Sequence, residues 1–328
     1  MKALIKLINN LIDFHLTYDE QVADCFPGSN KHLIGIDNES EITLFLNFKN
    51  TNKATFGQSV GQFLSIQYDV ECKLKKHTDN IEIQQKFCLL KLTNVGSDIL
   101  LRKIFLDICL DLVQNLGDEP EMTDINVFIN KVKQLFAQLT LKSESTELGL
   151  WGELFLIANS KDVDHAIKAW HVNKNDRFDF NDSTCKVEVK TTTRSERIHH
   201  FSLAQLDKLL LNQTVICSIM TCKVDIGTSI FDLYQSICKK SSHFEMEMFK
   251  AKLFQIAGIE LTKFDSLFDH QMATQSTKFY FSKAIPSIDS ACVSLGVNNI
   301  EFDSNLHDSI EIEKNKLKQI SKLLYVKL

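Results

Sequence analysis

A chain of 328 residues, 44% of them hydrophobic, has apolar side chain enough for one large core or two ordinary ones, which excludes a disordered or purely fibrous protein. Its formal charge of −5 excludes a general positive field toward nucleic acid or membrane, so any basic surface has to be local. Nine cysteines, an odd number without a CxxC pair, speak against a disulfide framework and for reduced thiols in a cytoplasmic protein.

The opening MKALIKLINNLIDF does not read as a signal peptide, because Asn9, Asn10 and Asp13 interrupt it and no small-residue cleavage site follows. Leu4, Ile8, Leu11 and Ile12 place it as an amphipathic helix, and no stretch approaches the ~20 apolar residues of a membrane span, so no membrane partner is expected. HLIGI, ITLFLNF, LSIQYDVECKLK and KFCLLKLT are strand signals; in the third, Leu64, Ile66, Tyr68, Val70, Cys72 and Leu74 alternate with polar residues. They predict a mostly antiparallel sheet, closed by the helix ILLRKIFLDICLDLVQNL. GDEPEMTD then breaks the pattern at Pro120 and marks a domain boundary.

Beyond it, Ile125, Phe128, Val132, Leu135, Phe136 and Leu139 form a helical stripe, and KSESTE separates this from a second helix starting near Thr146. Strands and a helix follow from Trp170 to Leu211, then a buried strand in TVICSIMTCKV and helices in SIFDLYQSICKK and FEMEMFKAKLFQIA. KFYFSKAI and NNIEF are the strands expected near the end, with no repeat or low-complexity segment anywhere. The order indicates an α/β (α+β) chain: a β-rich domain over 1–120, a mixed-sheet core flanked by helices over 121–242, and an α/β extension over 243–328. From Glu313 onward five Lys stand against one Glu, which reads as a solvated edge strand or helix face, with a phosphate-contacting tail as the alternative.

The chemistry concentrates in RFDFNDSTCKVEVKTTTR, residues 177–194. Alternation puts Val187 and Val189 on one face of a strand and Lys186, Glu188 and Lys190 on the other, while NDST is a turn signal that makes RFDF and KVEVK a hairpin. If Phe178 and Phe180 share the valines' face, Asp179 shares that of Glu188 and Lys190. Two registers remain open. With Phe180 opposite Cys185, Asp179 faces Lys186 and lies diagonal to Glu188, whereas a slip of two residues makes Asp179 and Glu188 direct partners. Either brings two carboxylates within roughly 5–8 Å, a repulsive arrangement that a hard divalent cation relieves. The plainer alternative is a solvated hairpin whose acids pair with Lys186 and Lys190.

The preceding helix, LGLWGELFLIA, strengthens the first reading, because Glu153 falls between Leu156 and Ile157 in apolar company and has to be paired or metal-bound there. Glu147 has a local explanation, a negative charge in the first turn beside Ser145 or Thr146 as cap, and stands as an accessory candidate. Past the hairpin, Arg194, Arg197, His199, His200 and Ser202 make a modestly positive edge able to hold phosphates. Ser202 and Gln205 also have capping-box spacing, and the adjacent histidines lack zinc-site spacing.

The ordered set, GLWGEL…W…FDF…EVKTT…R.HHFS..QL, resembles the PD-(D/E)XK nuclease superfamily, and within it an uncharacterised bacterial branch of PD-(D/E)XK proteins associated with restriction or phage-defence gene clusters. The specific match covers roughly Glu147 to Leu211, and Phe178 stands where the superfamily has its Pro. The resemblance implies a restriction-endonuclease-like core and a Mg2+ (or Mn2+) dependent DNA endonuclease. It makes Asp179 and Glu188 the metal-binding carboxylates, Glu153 a third acid, the backbone carbonyl of Val189 a further ligand, Lys190 the residue that positions the attacking water, and Gln205 a residue near the site. Asp176 offers a competing alignment, but shares the direction of the phenylalanines. The alternative function is a non-catalytic nuclease-fold subunit that binds nucleic acid or a partner protein. The chain's acidity points to partner subunits or a homodimer in DNA binding, and without a GxxxxGK[ST] loop no ATP hydrolysis is expected.

Overall fold

A computed structural model of the protein describes residues 2–18, 21–49, 58–93, 99–139, 146–172, 176–206 and 213–327. The chain forms two compact units, one of Met1–Lys142 with Leu261–Lys263, the other of Ser143–Glu260 with Phe264–Leu328.

The first unit opens with the helix α1 (Lys2–Tyr18), which buries Leu4, Ile8 and Leu11 on one face. Its strands are β1 (Val22–Cys25), β2 (Leu33–Ile36), β3 (Ile42–Leu46), β4 (Ser59–Val60), β5 (Leu64–Lys76) and β6 (Ile81–Leu92). They join in the order β1-β2-β3-β6-β5-β4, all antiparallel, while a parallel pairing of β1 with β5 (Val22 to Lys75, Ala23 to Lys76) closes five of them on themselves. Closure removes most of the free edge that an open sheet would present. Ala23, Leu33, Phe45, Cys72, Leu74, Phe87 and Leu89 share one core, to which each fully buried Phe contributes about 1.5–3 kcal/mol. Gly35 permits the close approach of β2 to β1: a Cβ there would lie 2.2 Å from the Val22 carbonyl and 2.8 Å from the Ala23 Cα. The closing helix is α2 (Ile99–Leu116).

Pro120 does separate α2 from α3 (Met122–Gln138), but the division between units falls after Lys142 rather than at 120. Aromatic packing is the reason. Phe136 of α3 sets its ring edge-on to Phe105 of α2 at 5.9 Å, and Tyr68 of β5 donates to the Asn126 side chain at 3.1 Å.

The second unit contains α4 (Glu147–Asn159), α5 (Val163–Ala169), β7 (Phe180–Asn181), β8 (Cys185–Thr192), β9 (Ile198–Ser202), β10 (Gln213–Met220), β11 (Lys223–Thr228), α6 (Ile230–Lys240), α7 (His243–Ala257), α8 (His270–Ser276), β12 (Lys278–Phe281), β13 (Glu301–Asn305) and α9 (Lys314–Ile320). A four-stranded mixed sheet runs β12-β10-β8-β7, with β8 and β10 parallel and both edges antiparallel; β9 and β13 form a separate pair. Residues 243–328 supply an edge of this sheet, β12, and the partner of β9, β13. The whole is the mixed α+β architecture expected.

One element differs. The helix expected from Ser202 onward is a 3-10 turn, Leu203–Gln205, and His199 and His200 lie on β9; the remainder of that expected helix, 207–211, lies outside the described residues. All nine cysteines are free thiols. Among the described residues no helix is long and apolar enough to cross a membrane.

Candidate metal centre

Helix α4 begins at Thr146, whose hydroxyl accepts from the Gly149 amide at 3.1 Å, and it is apolar almost all round, so it is buried on every side. Gly152 lets it approach β8 closely, since a Cβ there would meet the Thr191 hydroxyl at 1.8 Å and Val189 at 3.4 Å. The next residue is Glu153, 6% exposed. Its Oε2 accepts the indole N–H of Trp170 at 2.7 Å and lies 2.9 Å from His171 Nε2. Trp170 and His171 immediately follow α5, where the Lys252 ammonium donates to the carbonyls of Ile167 at 2.8 Å and of Trp170. Burial lowers the Lys252 amine to about 8.

The hairpin turn is fixed by Asp182, whose Oδ1 accepts the Thr184 and Cys185 amides at 2.8 and 2.7 Å, the Asx geometry that NDST foreshadows. Phe180 pairs with Val187, which selects between the two open registers: one residue further along, Asp179 stands opposite Glu188. Phe178 and Phe180 are buried on the core side with Val187 and Val189. Asp179 Oδ2 accepts the Val189 amide at 2.7 Å, and its own carbonyl accepts the His171 amide at 2.8 Å. Strand β8 thus grips the side chain of Asp179 while the turn after α5 grips its backbone.

Glu188 is 4% exposed. Its Oε1 accepts from Lys190 at 2.8 Å and from the Gln205 amide at 2.6 Å, while its Oε2 is buried and has no hydrogen-bond partner among the described residues. The Lys190 ammonium also lies 5.3 Å from the Phe201 ring centre. Gln205 has both roles proposed for it, since its Oε1 accepts the Ser202 amide at 3.1 Å while its nitrogen reaches Glu188.

Like charge governs the electrostatics. Burial, then the carboxylates of Glu188 and Glu153, raise Asp179 well above the usual carboxylate range, against the Val189 amide and Lys190. Burial likewise raises Glu188, opposed by Lys190. Buried carboxylates crowded this closely are costly without a cation among them. The donor atoms fit one: single ligand atoms of Glu153, His171 and Asp179 all lie within 4.8 Å of one another. Two ligands on opposite sides of an ion at about 2.0–2.3 Å are roughly 4.0–4.6 Å apart, so the spacing matches a shared coordination sphere.

The other expected residues lie elsewhere. Glu147 binds Ser266, accepting its amide at 2.7 Å and its hydroxyl at 2.6 Å, and takes no part in the cluster. Arg197 donates to the Ser218 carbonyl and hydroxyl at 2.9 and 2.7 Å and to the Ser276 carbonyl, and buried His199 contacts the same Ser218 hydroxyl at 2.7 Å. Burial and the neighbouring cations lower His199 to about 3, so it is neutral. Arg194 and His200 remain exposed, both against Asp303 on β13 at 3.2 and 3.0 Å. Sequence reasoning missed His171 and, although Trp170 is the W of the quoted motif, gave it no role. The signal available was an indole and an imidazole adjacent to one another just past a short helix, within reach of a buried acid that needed partners.

A family model described as "Putative PD-(D/E)XK family member, (DUF4420)" matches residues 21–307. No curated protein and no solved structure matched the chain.

Proposed function

The chain belongs to this family of PD-(D/E)XK proteins, and on that premise we propose that it is a divalent-metal-dependent DNA endonuclease, acting in the bacterial restriction or phage-defence setting that the sequence resemblance implies. The observation that carries the reading is that Glu153, Glu188 and Lys190, from two other segments, all act electrostatically on Asp179, in a cluster where Glu188 also has a buried oxygen, Oε2, without a hydrogen-bond partner among the described residues.

Glu153, His171 and Asp179 would hold the ion, with Glu188 beside them. When bound, the ion supplies a Lewis acid for the phosphate and a more acidic water. The remaining chemistry belongs to the chain. Glu188 holds Lys190, and Gln205 holds Glu188, so the ammonium has one direction in which to orient a water and offset the charge that grows on a phosphodiester under attack. Trp170 keeps the Glu153 carboxylate turned toward Asp179 and excludes water from behind it.

A second reading is favoured by one observation: two exposed cations at this edge, Arg194 in the loop before β9 and His200 on β9, are already paired with acids on β13 rather than open to phosphates. A nuclease-fold subunit that gains its DNA grip from another subunit or a second copy fits that surface. Incubating the purified chain with plasmid and phage DNA, with and without Mg2+ or Mn2+, alongside Asp179→Ala and Lys190→Ala, separates the two. Metal-dependent cleavage lost in both variants supports the enzyme, cleavage surviving in both removes the proposed site, and retention of DNA without cleavage by any form supports the subunit.

A further inference from the structure

We propose that His171 is a nitrogen ligand of the metal centre and that it sets the ion's identity, so that the site takes a transition ion such as Mn2+ in preference to Mg2+. This rests on the reading above that the cluster holds a divalent cation, but not on the cation's use in cleaving DNA.

The placement of the histidine is the first support. Its Nε2 lies 2.9 Å from Glu153 Oε2, an oxygen that also accepts the Trp170 indole, and one of its ring nitrogens lies within 4.8 Å of an Asp179 oxygen. A separation of 2.9 Å is also the one that two neighbouring ligands of a single ion take when each lies about 2.0–2.3 Å from it at right angles. The second support is the backbone. His171 has a φ of 38°, in the left-handed region that non-glycine residues seldom take, although His, Asn and Asp do so more often than most, and such a conformation persists where the surroundings hold it. Here the holding bonds lead to the other ligand. The His171 amide donates to the Asp179 carbonyl at 2.8 Å, and Trp170 bridges to Phe180, so the turn carrying the imidazole is laced to the strand carrying the carboxylate. The third is Glu188 Oε2, a buried oxygen with no hydrogen-bond partner among the described residues, in a side chain 4% exposed whose charge acts on Asp179 and which His171 in turn influences.

Ligand chemistry then selects the ion. Mg2+ prefers an all-oxygen octahedron and retains its waters, whereas an imidazole nitrogen suits borderline transition ions. Two carboxylates and one imidazole shift the preference away from Mg2+, with Glu188 able to supply a further oxygen.

The test is calorimetric titration of the whole chain with Mn2+ and with Mg2+, together with electron spin echo spectroscopy of the Mn2+ form. His171→Asn is the variant of choice, because Asn accepts the left-handed backbone and removes the imidazole. The expected results are Mn2+ bound at least about 10-fold tighter than Mg2+, nitrogen modulation in the echo, and a loss of about 10- to 100-fold in Mn2+ affinity in His171→Asn with Mg2+ affinity little changed. Equal affinities for the two ions, or a wild-type echo without nitrogen modulation, overturn the proposal, and the latter needs no variant to fold. Plasmid cleavage supported equally by both ions and unaffected by His171→Asn would sink this inference while leaving the nuclease standing. Mn2+ selection without any cleavage would do the reverse.

Discussion

At Asp179 the fold gathers three carboxylates, leaves one buried oxygen bare among the described residues and holds two acids above their usual pKa, whereas along β9 and the loop that leads into it, in the same unit, Arg194, Arg197, His199 and His200 each have a partner of their own. Both stretches look like functional charge in the sequence. The difference is one of satisfaction. A polar group whose partner lies within the chain needs nothing else, while a buried carboxylate whose neighbours repel it is relieved by a proton or by a cation. The acidic cluster has the second character and the basic rim mostly the first.

The largest effect that could break this contrast is Asp179→Asn. The substitution keeps an acceptor for the Val189 amide but removes the charge, so cleavage should fall by at least about 100-fold while the metal-free protein becomes more stable. The sign follows from the raised carboxyl. Its folded state binds the proton more tightly than the unfolded chain, so the wild type loses stability as pH rises above the unfolded value of 3.8, and the advantage of Asn grows in that direction and vanishes in acid. Thermal melts with chelator across pH check it, and a variant less stable than wild type at neutral pH would mean that the carboxylates are not in conflict.

Gly152→Ala tests how the cluster is assembled. With Thr191 in the way of the new methyl, α4 has to move off β8, at about 1–3 kcal/mol, and carry Glu153 with it, so both melting temperature and Mn2+ affinity should fall. On the basic side, His199 gives a pH signature. The unfolded chain takes up a proton near 6.5 and the folded one only near 3, so between those values wild-type stability declines by about 1.4 kcal/mol per unit as pH falls. His199→Gln keeps a donor for Ser218 and should lose that slope, measured by denaturant unfolding at several pH values. Arg197→Ala strips Ser218 and Ser276 of a buried donor and should cost about 1–3 kcal/mol, against about 0–1 kcal/mol for the exposed Arg194→Ala. Should Arg194→Ala instead reduce the salt dependence of DNA retention by about one unit of slope, the rim contacts phosphate after all.

The amino-acid sequence by itself determined the local facts. Strict alternation in KVEVK put Glu188 and Lys190 on one face, NDST made the Asx turn at Asp182, an acid among apolar residues marked Glu153 as needing partners, and S-x-x-Q produced the Ser202–Gln205 bond. These depend on residues within a turn or a strand of one another, whose geometry the backbone period dictates. Only the tertiary structure decided the rest: which of two registers the hairpin takes, that Trp170 and His171 return to Glu153, that Arg197 and His199 turn inward to Ser218, and that α3 belongs with the first unit. Each depends on where a distant segment comes to rest, and a buried polar atom takes whichever partner the packing of those segments brings within bonding distance.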